Sequence, residues 1–301
     1  MRCAAAALLL LAAACGGEDR PAQPDGGSAG SYTPRECALE FGHTQIFSRI
    51  VILPEEQGID ITGDGVPDNQ LGRIAPLSNP TIVSVIENGT GIFLLDFTRW
   101  EGAPADDDDM DVTFYLGVDA DMPPDPSDNT SGSGEFRVVD RQLDVECNPL
   151  TRVAGKVKDG IVRAESGVWN FLIEGIGTLT FDHVHLELGF DDQLEHYTGR
   201  FGTGWTVCSL SHVEGPLFAG GSLLESVVND LELPDPDLDF DGDGLEHVVG
   251  DGEAITSCID GDGTVIEGAD CPCDPRIGDA YSVSVAIEGA AATISGIIYD
   301  Q

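Results

Sequence analysis

Apolar and polar residues alternate with a period of two along most of this chain. In "MDVTFYLGV", Val112, Phe114, Leu116 and Val118 share one side, and Asp111, Thr113 and Tyr115 the other. In "YSVSVAIEG", Tyr281, Val283, Val285 and Ile287 form one side. Such alternation predicts half-buried strands. "RVAGKVKDGIVRA" places Asp159-Gly160 between two short runs of this kind, and both residues tolerate positive φ, so a hairpin is expected there. "GVWNFLIEG", "GTLTFDHVHLELGF" and "GRFGTGWTVCSL" extend the series, and their glycines punctuate it. The predicted class is mainly β, an antiparallel sandwich or barrel with one or two short helices and Asp/Gly-rich metal-binding loops. One helix is expected in "SNPTIVSVIENG", with Ser78 or Asn79 as N-cap, Pro80 in the first turn and Gly89 as stop; the other in "GGSLLESVVNDL", capped by Ser222.

The N-terminus breaks this pattern. "MRCAAAALLLLAAAC" has Arg2 ahead of an apolar run that ends in small residues before Cys15, too short for a permanent membrane span. It resembles a bacterial lipoprotein signal, with alanine where leucine is usual in the box before the cysteine. That resemblance implies residues 1–14 as a signal peptide, lipid on Cys15, and a place at the cell envelope on the outer-membrane, periplasmic or surface side. Residues 15–36, rich in Gly, Pro, Ser and charge, read as a flexible tether. The body divides into a first β-rich part, residues 37–148, and a second, residues 149–301.

Charge alters the picture next. The chain has 54 Asp plus Glu against 14 Lys plus Arg, a formal net charge of −40. Phosphate backbones would be repelled, so nucleic acid is excluded as a partner. Self-repulsion on this scale opposes a compact state unless cations offset it. Two loops have the composition to hold them. In "DFDGDGLEH", Asp239, Asp241 and Asp243 alternate, a glycine follows, and the Leu245 carbonyl and Glu246 come next. In "DITGDGVPDN", the matching positions are Asp60, Thr62, Asp64, the Val66 carbonyl and Asp68. Alternating oxygens around a tight glycine turn converge on one point, as a hard divalent ion needs, and Ca²⁺ tolerates the irregular geometry. A third, poorer candidate is Asp260 with Asp262 in "CIDGDGTVIEGADCPC". Plain Asp-Gly turns are the simpler alternative.

The loops resemble calcium loops of EF-hand-like type, as in dockerins, thrombospondin type 3 repeats and FG-GAP repeats. They lack the twelfth-position glutamate, with Leu71 and Gly250 in its place, so weak Ca²⁺ sites are expected. Signal, tether, loops and β body together resemble calcium-loop lipoproteins of bacteria, a likeness that carries no activity across.

Cysteines Cys37, Cys147, Cys208, Cys258, Cys271 and Cys273 lie in the body, an even number in an export setting, so disulfides are expected. Cys258 with Cys271, which would staple the third loop, is the pairing singled out. For chemistry, "DHVHLE" sets His183, His185 and Glu187 on one strand face, a possible zinc site. No familiar catalytic motif occurs. Trp100, Trp169 and Trp205 either stack on sugars or pack in the core. The leading expectation is a calcium-binding, lipid-anchored envelope protein with a binding, adhesion or structural role toward a protein or glycan. The alternatives are an exported metal-dependent hydrolase using His183 and His185, and a carbohydrate-binding module.

Overall fold

The computed structural model describes residues 37–100, 106–173, 177–207, 210, 236–240, 248–250, 254–259, 265–267 and 279–299. Its strands are β1 (His43–Ile52), β2 (Ile92–Thr98), β3 (Asp107–Asp119), β4 (Glu135–Val139), β5 (Arg152–Lys158), β6 (Ile161–Ile173), β7 (Gly177–Phe190), β8 (His196–Thr206), β9 (Leu238–Asp239), β10 (Val248–Gly250), β11 (Ala254–Ile259), β12 (Val265–Glu267), β13 (Asp279–Ala291) and β14 (Thr293–Ile298). One helix, α1 (Ala75–Glu87), is complete among the described residues. No helix among them is long and apolar enough to cross a membrane.

Eight strands close into an antiparallel barrel in the order β3-β2-β1-β13-β8-β7-β6-β5, and the β3–β5 pairing returns the sheet to its start. The β class expected from the alternation is therefore present, in its barrel form. The boundary between residues 148 and 149 falls between β4 and β5. Strands from both sides of it pair within the one ring, β3 with β5 and β1 with β13. A separate three-stranded sheet joins β10, β11 and β12.

Alternation decides what enters the barrel. Val112 and Phe114 of β3, Leu95 and Phe97 of β2, and Tyr281, Val283 and Ile287 of β13 all belong to one interior cluster. Trp169 stacks on Phe201 there at 5.4 Å between ring centres. An eight-stranded barrel is just wide enough for side chains to fill, and aromatic residues fill this one. Apolar patches of the outer wall among the described residues are covered by other segments. β4 and β14 lie over Ile46, Leu94 and Tyr115 with Phe136, Val138 and Ile294. α1 lays Ile82, Val85 and Ile86 against Ile52. That explains why β3 is buried on both faces around Phe114 and Tyr115 rather than half-buried as its alternation implied.

The hairpin at Asp159-Gly160 forms as expected, with φ of 53° and 74°, and joins β5 to β6. The helix differs from expectation at its start. It begins at Ala75 and includes Pro80, because a 3-10 turn over Gln70–Ile74 runs straight into it and no side chain caps it. Asn79 serves β1 instead: its Oδ1 accepts the Ile52 N–H at 2.7 Å and its Nδ2 donates to the Ile52 carbonyl at 2.9 Å. Gly89 follows the helix with φ 70°, a left-handed stop. The second expected helix, at residues 220–231, lies outside the described residues.

A disulfide joins Cys37 to Cys147, a pair the spacing had not singled out. Cys258 sits on β11, and Cys271 lies outside the described residues.

One buried carboxyl tunes stability to pH. Asp96 on β2 is 1% exposed. Its Oδ1 accepts from Gly42 N at 2.8 Å and Thr44 Oγ1 at 3.3 Å, and its Oδ2 has no partner among the described residues. Burial, opposed by those two hydrogen bonds, raises its pKa from 3.8 to about 6. A raised carboxyl pKa means the folded state prefers the proton. The contribution is complete below pH 4 and is lost as pH rises through 6, worth about 3 kcal/mol for a shift of this size. Urea titrations across pH 3–8 should show the stability of the native chain falling by that amount relative to Asp96→Asn. Parallel curves for the two proteins would refute it.

Candidate functional site

β1 leaves β13 at the Ile52–Val285 pair, so the first residues of β13 present an open backbone edge to the side. Three segments fill it. Leu53 N donates to Ser284 O at 2.9 Å, Ser284 N donates to Asn69 Oδ1 at 2.8 Å, and Ser282 N donates to Asp237 Oδ1 at 2.8 Å. β9 then pairs with β13 at Asp239–Asp279 and Leu238–Ala280.

The wall beside this seam is built from very small residues. On β8 and β13, Gly202 pairs with Ser284 and Gly204 with Ser282. A Cβ on Gly204 would sit 2.4 Å from the Phe240 ring, and one on Gly202 would sit 3.0 Å from Ile59. Glycine is what lets both segments lie flat. The serines then hold them: Ser284 Oγ accepts Ile59 N at 2.9 Å and donates to Asp68 O at 3.1 Å, while Ser282 Oγ accepts Gln70 N at 2.7 Å and donates to the Asp237 carboxylate.

The Asp60–Asp68 loop meets Leu238 and Phe240, at the head of the second stretch, here. Ile59 and Ile61 pack with Leu238, Phe240 and Ala280 in a small apolar cluster. The Asp60–Asp68 loop is thereby set beside Asp239, the first carboxylate of "DFDGDGLEH". Burial raises the pKa of Asp237, the Ser282 hydrogen bonds oppose this, and the nearby Asp68 charge adds to the rise.

Within the first loop the carboxylates organise the backbone. Asp60 Oδ1 accepts from Gly63 N at 2.7 Å and Asp64 N at 3.0 Å, and its Oδ2 accepts from Gly65 N at 2.9 Å. Gly63 and Gly65 have φ of 79° and 88°, which only glycine adopts freely. Asp68 Oδ2 closes the loop on Ile61 N at 2.6 Å and Thr62 N at 2.9 Å, next to an Ile59–Asp68 bridge. Asp64 Oδ1 accepts Val66 N at 2.7 Å. The loop is solvent-exposed, Val66 at 58%. A carboxylate has about four acceptor positions, so these oxygens are not exhausted. Among the described residues, no three of His, Cys, Asp and Glu stand together as a metal-binding group.

Asp239 is exposed on β9, while Asp241, Asp243, Leu245, Glu246, Asp260, Asp262 and Cys15 lie outside the described residues. His183 is at a bulge of β7, with φ 50°. Its ring stacks on Phe240 at 4.0 Å, and its Nδ1 lies 3.1 Å from Asp182 Oδ1. His185 and Glu187 line a groove that Ile59 and Asp60 of the first loop also line, together with Arg163 and Arg200, and Glu187 accepts from Arg163 Nε there at 2.8 Å. Trp100, Trp169 and Trp205 are 7%, 1% and 4% exposed, so none stands on the open surface as a platform for sugars, and Trp100 alone of the three reaches a described cavity, beside Gly160 and Phe190.

Sequence reasoning passed over Ser282, Ser284, Gly202, Gly204 and Asn69. The available signal was small residues at alternate positions in "YSVSV" and "FGTGW", on the side away from the apolar ones. The chain matches no protein-family model, no curated protein and no solved structure.

Proposed function

We propose that this chain is a calcium-binding protein of the bacterial cell envelope, held by lipid on Cys15, that acts by binding or as surface structure rather than by catalysis. One observation carries the reading: the packing of Ile59 and Ile61 on Leu238 and Phe240, which holds the Asp60–Asp68 loop beside the segment that carries Asp237 and Asp239 in a chain of net charge −40. Like charges brought together this way favour a shared hard cation. The Asp60 loop supports it further, since its turn is already closed by backbone donors and needs no ordering to receive the ion. Asp239, Asp241 and Asp243 form the second candidate set, and Asp260 with Asp262 a third. The partner at the envelope is a protein or a glycan.

With a dissociation constant on the order of 10⁻⁴ M, about 10 mM Ca²⁺ stabilises the fold by about 2.7 kcal/mol. Calorimetric titration of the full chain and melting with and without chelator measure this. Asp60→Asn with Asp64→Asn should remove part of the gain from calcium, over and above the smaller loss in chelator that the missing backbone hydrogen bonds cause. Equal melting in chelator and calcium would end the proposal.

A further inference from the structure

We infer that the barrel end formed by the β5–β6 and β7–β8 turns is a binding site for small organic cations. A cavity of about 350 Å³ opens there, within the range of about 300–1,000 Å³ common for small-molecule sites. Trp100, Phe190 and Leu194 give it an apolar, partly aromatic wall, and Asp159, Asp191 and Asp192 line it as well. No Lys or Arg is among the described residues that line it.

The wall is held in place from behind. Trp100 packs on Phe190 at 5.2 Å and on His43 at 5.4 Å. Leu194 adopts φ 57°, a left-handed conformation that a branched aliphatic residue reaches only under constraint. The constraint is visible: Leu194 N donates to Asp191 O at 3.1 Å, and the Leu194 carbonyl accepts Gln45 Nε2 at 3.0 Å.

Aromatic rings beside carboxylates recognise ammonium groups, the rings through their negative faces and the carboxylates through charge. The apolar wall takes an alkyl or aryl body. A net charge of −40 raises the local concentration of any cation at such a mouth. A bare metal ion is poorly served by this wall, so the ligand class is an alkyl- or arylammonium ion. This site is distinct from the acidic seam and does not depend on it.

The test uses the full chain in saturating calcium, with phenethylammonium as probe and phenethyl alcohol as its neutral counterpart. Calorimetry should give saturable one-site binding of the ammonium and about tenfold weaker binding of the alcohol. Asp159→Asn with Asp192→Asn should weaken the ammonium about tenfold and leave the alcohol unchanged. Asparagine tolerates the left-handed turn at position 159, and far-UV circular dichroism checks that the fold survives. Trp100→Leu should weaken both probes. Equal affinity for the two probes, unchanged binding in the aspartate variant, or no saturation would each overturn the assignment.

Discussion

The double substitution Cys37→Ser, Cys147→Ser is expected to lower the unfolding free energy by about 3–5 kcal/mol. The two cysteines are 110 residues apart in sequence. A bridge over so long a loop removes much of the freedom of the unfolded chain, and that loss grows with loop length. The bridged residues are also anchored natively, since Cys37 N donates to Tyr299 Oη at 2.8 Å and Cys147 N to Asp144 O at 3.1 Å. Urea denaturation should give the oxidised chain a higher midpoint than both the reduced chain and the double variant. Coincident midpoints for all three would show that the bridge contributes nothing.

Trp169→Ala is expected to be comparably damaging, at about 3–5 kcal/mol. The side chain is 1% exposed in the middle of the barrel. It stacks on Phe201 and meets Phe114 at 6.1 Å. A closed ring of hydrogen-bonded strands collapses little around a void, so the lost contacts are not recovered. Denaturant titration measures the loss. A change below about 1 kcal/mol would mean that the interior is not packed around this ring.

Much of the architecture was legible because period-two alternation is a local property. "MDVTFYLGV" and "YSVSVAIEG" are strands, Asp159-Gly160 is a hairpin, and the three tryptophans are buried. What escaped depends on partners remote in sequence. Closure through β3 and β5, and the pairing of β1 with β13, leave no mark on either strand alone. Tyr115 reads as the polar side of β3 until β4 and β14 cover it. Asn79 reads as a helix cap, yet its amide is taken by the end of β1, a competitor that no helix rule includes.

The acidic loops show the same division. The oxygen spacing within Asp60–Asp68 is local and was legible, and so were the glycines that turn it. That Ile61 would meet Leu238 was not, because the strip that receives both is assembled from two strands. The Cys37–Cys147 bridge was illegible for a related reason. Its two cysteines are 110 residues apart in sequence and are brought together only by the fold.

The knot of Cys37, Cys147 and Tyr299 has a mechanical consequence. Tension arriving along the chain ahead of Cys37 would otherwise peel β1 away from its two neighbours one hydrogen bond at a time, the weakest way to load a sheet. The crosslink diverts that pull into the loop ahead of β5 before it reaches His43. The molecule should therefore resist extension by its leading end far better when oxidised than when reduced.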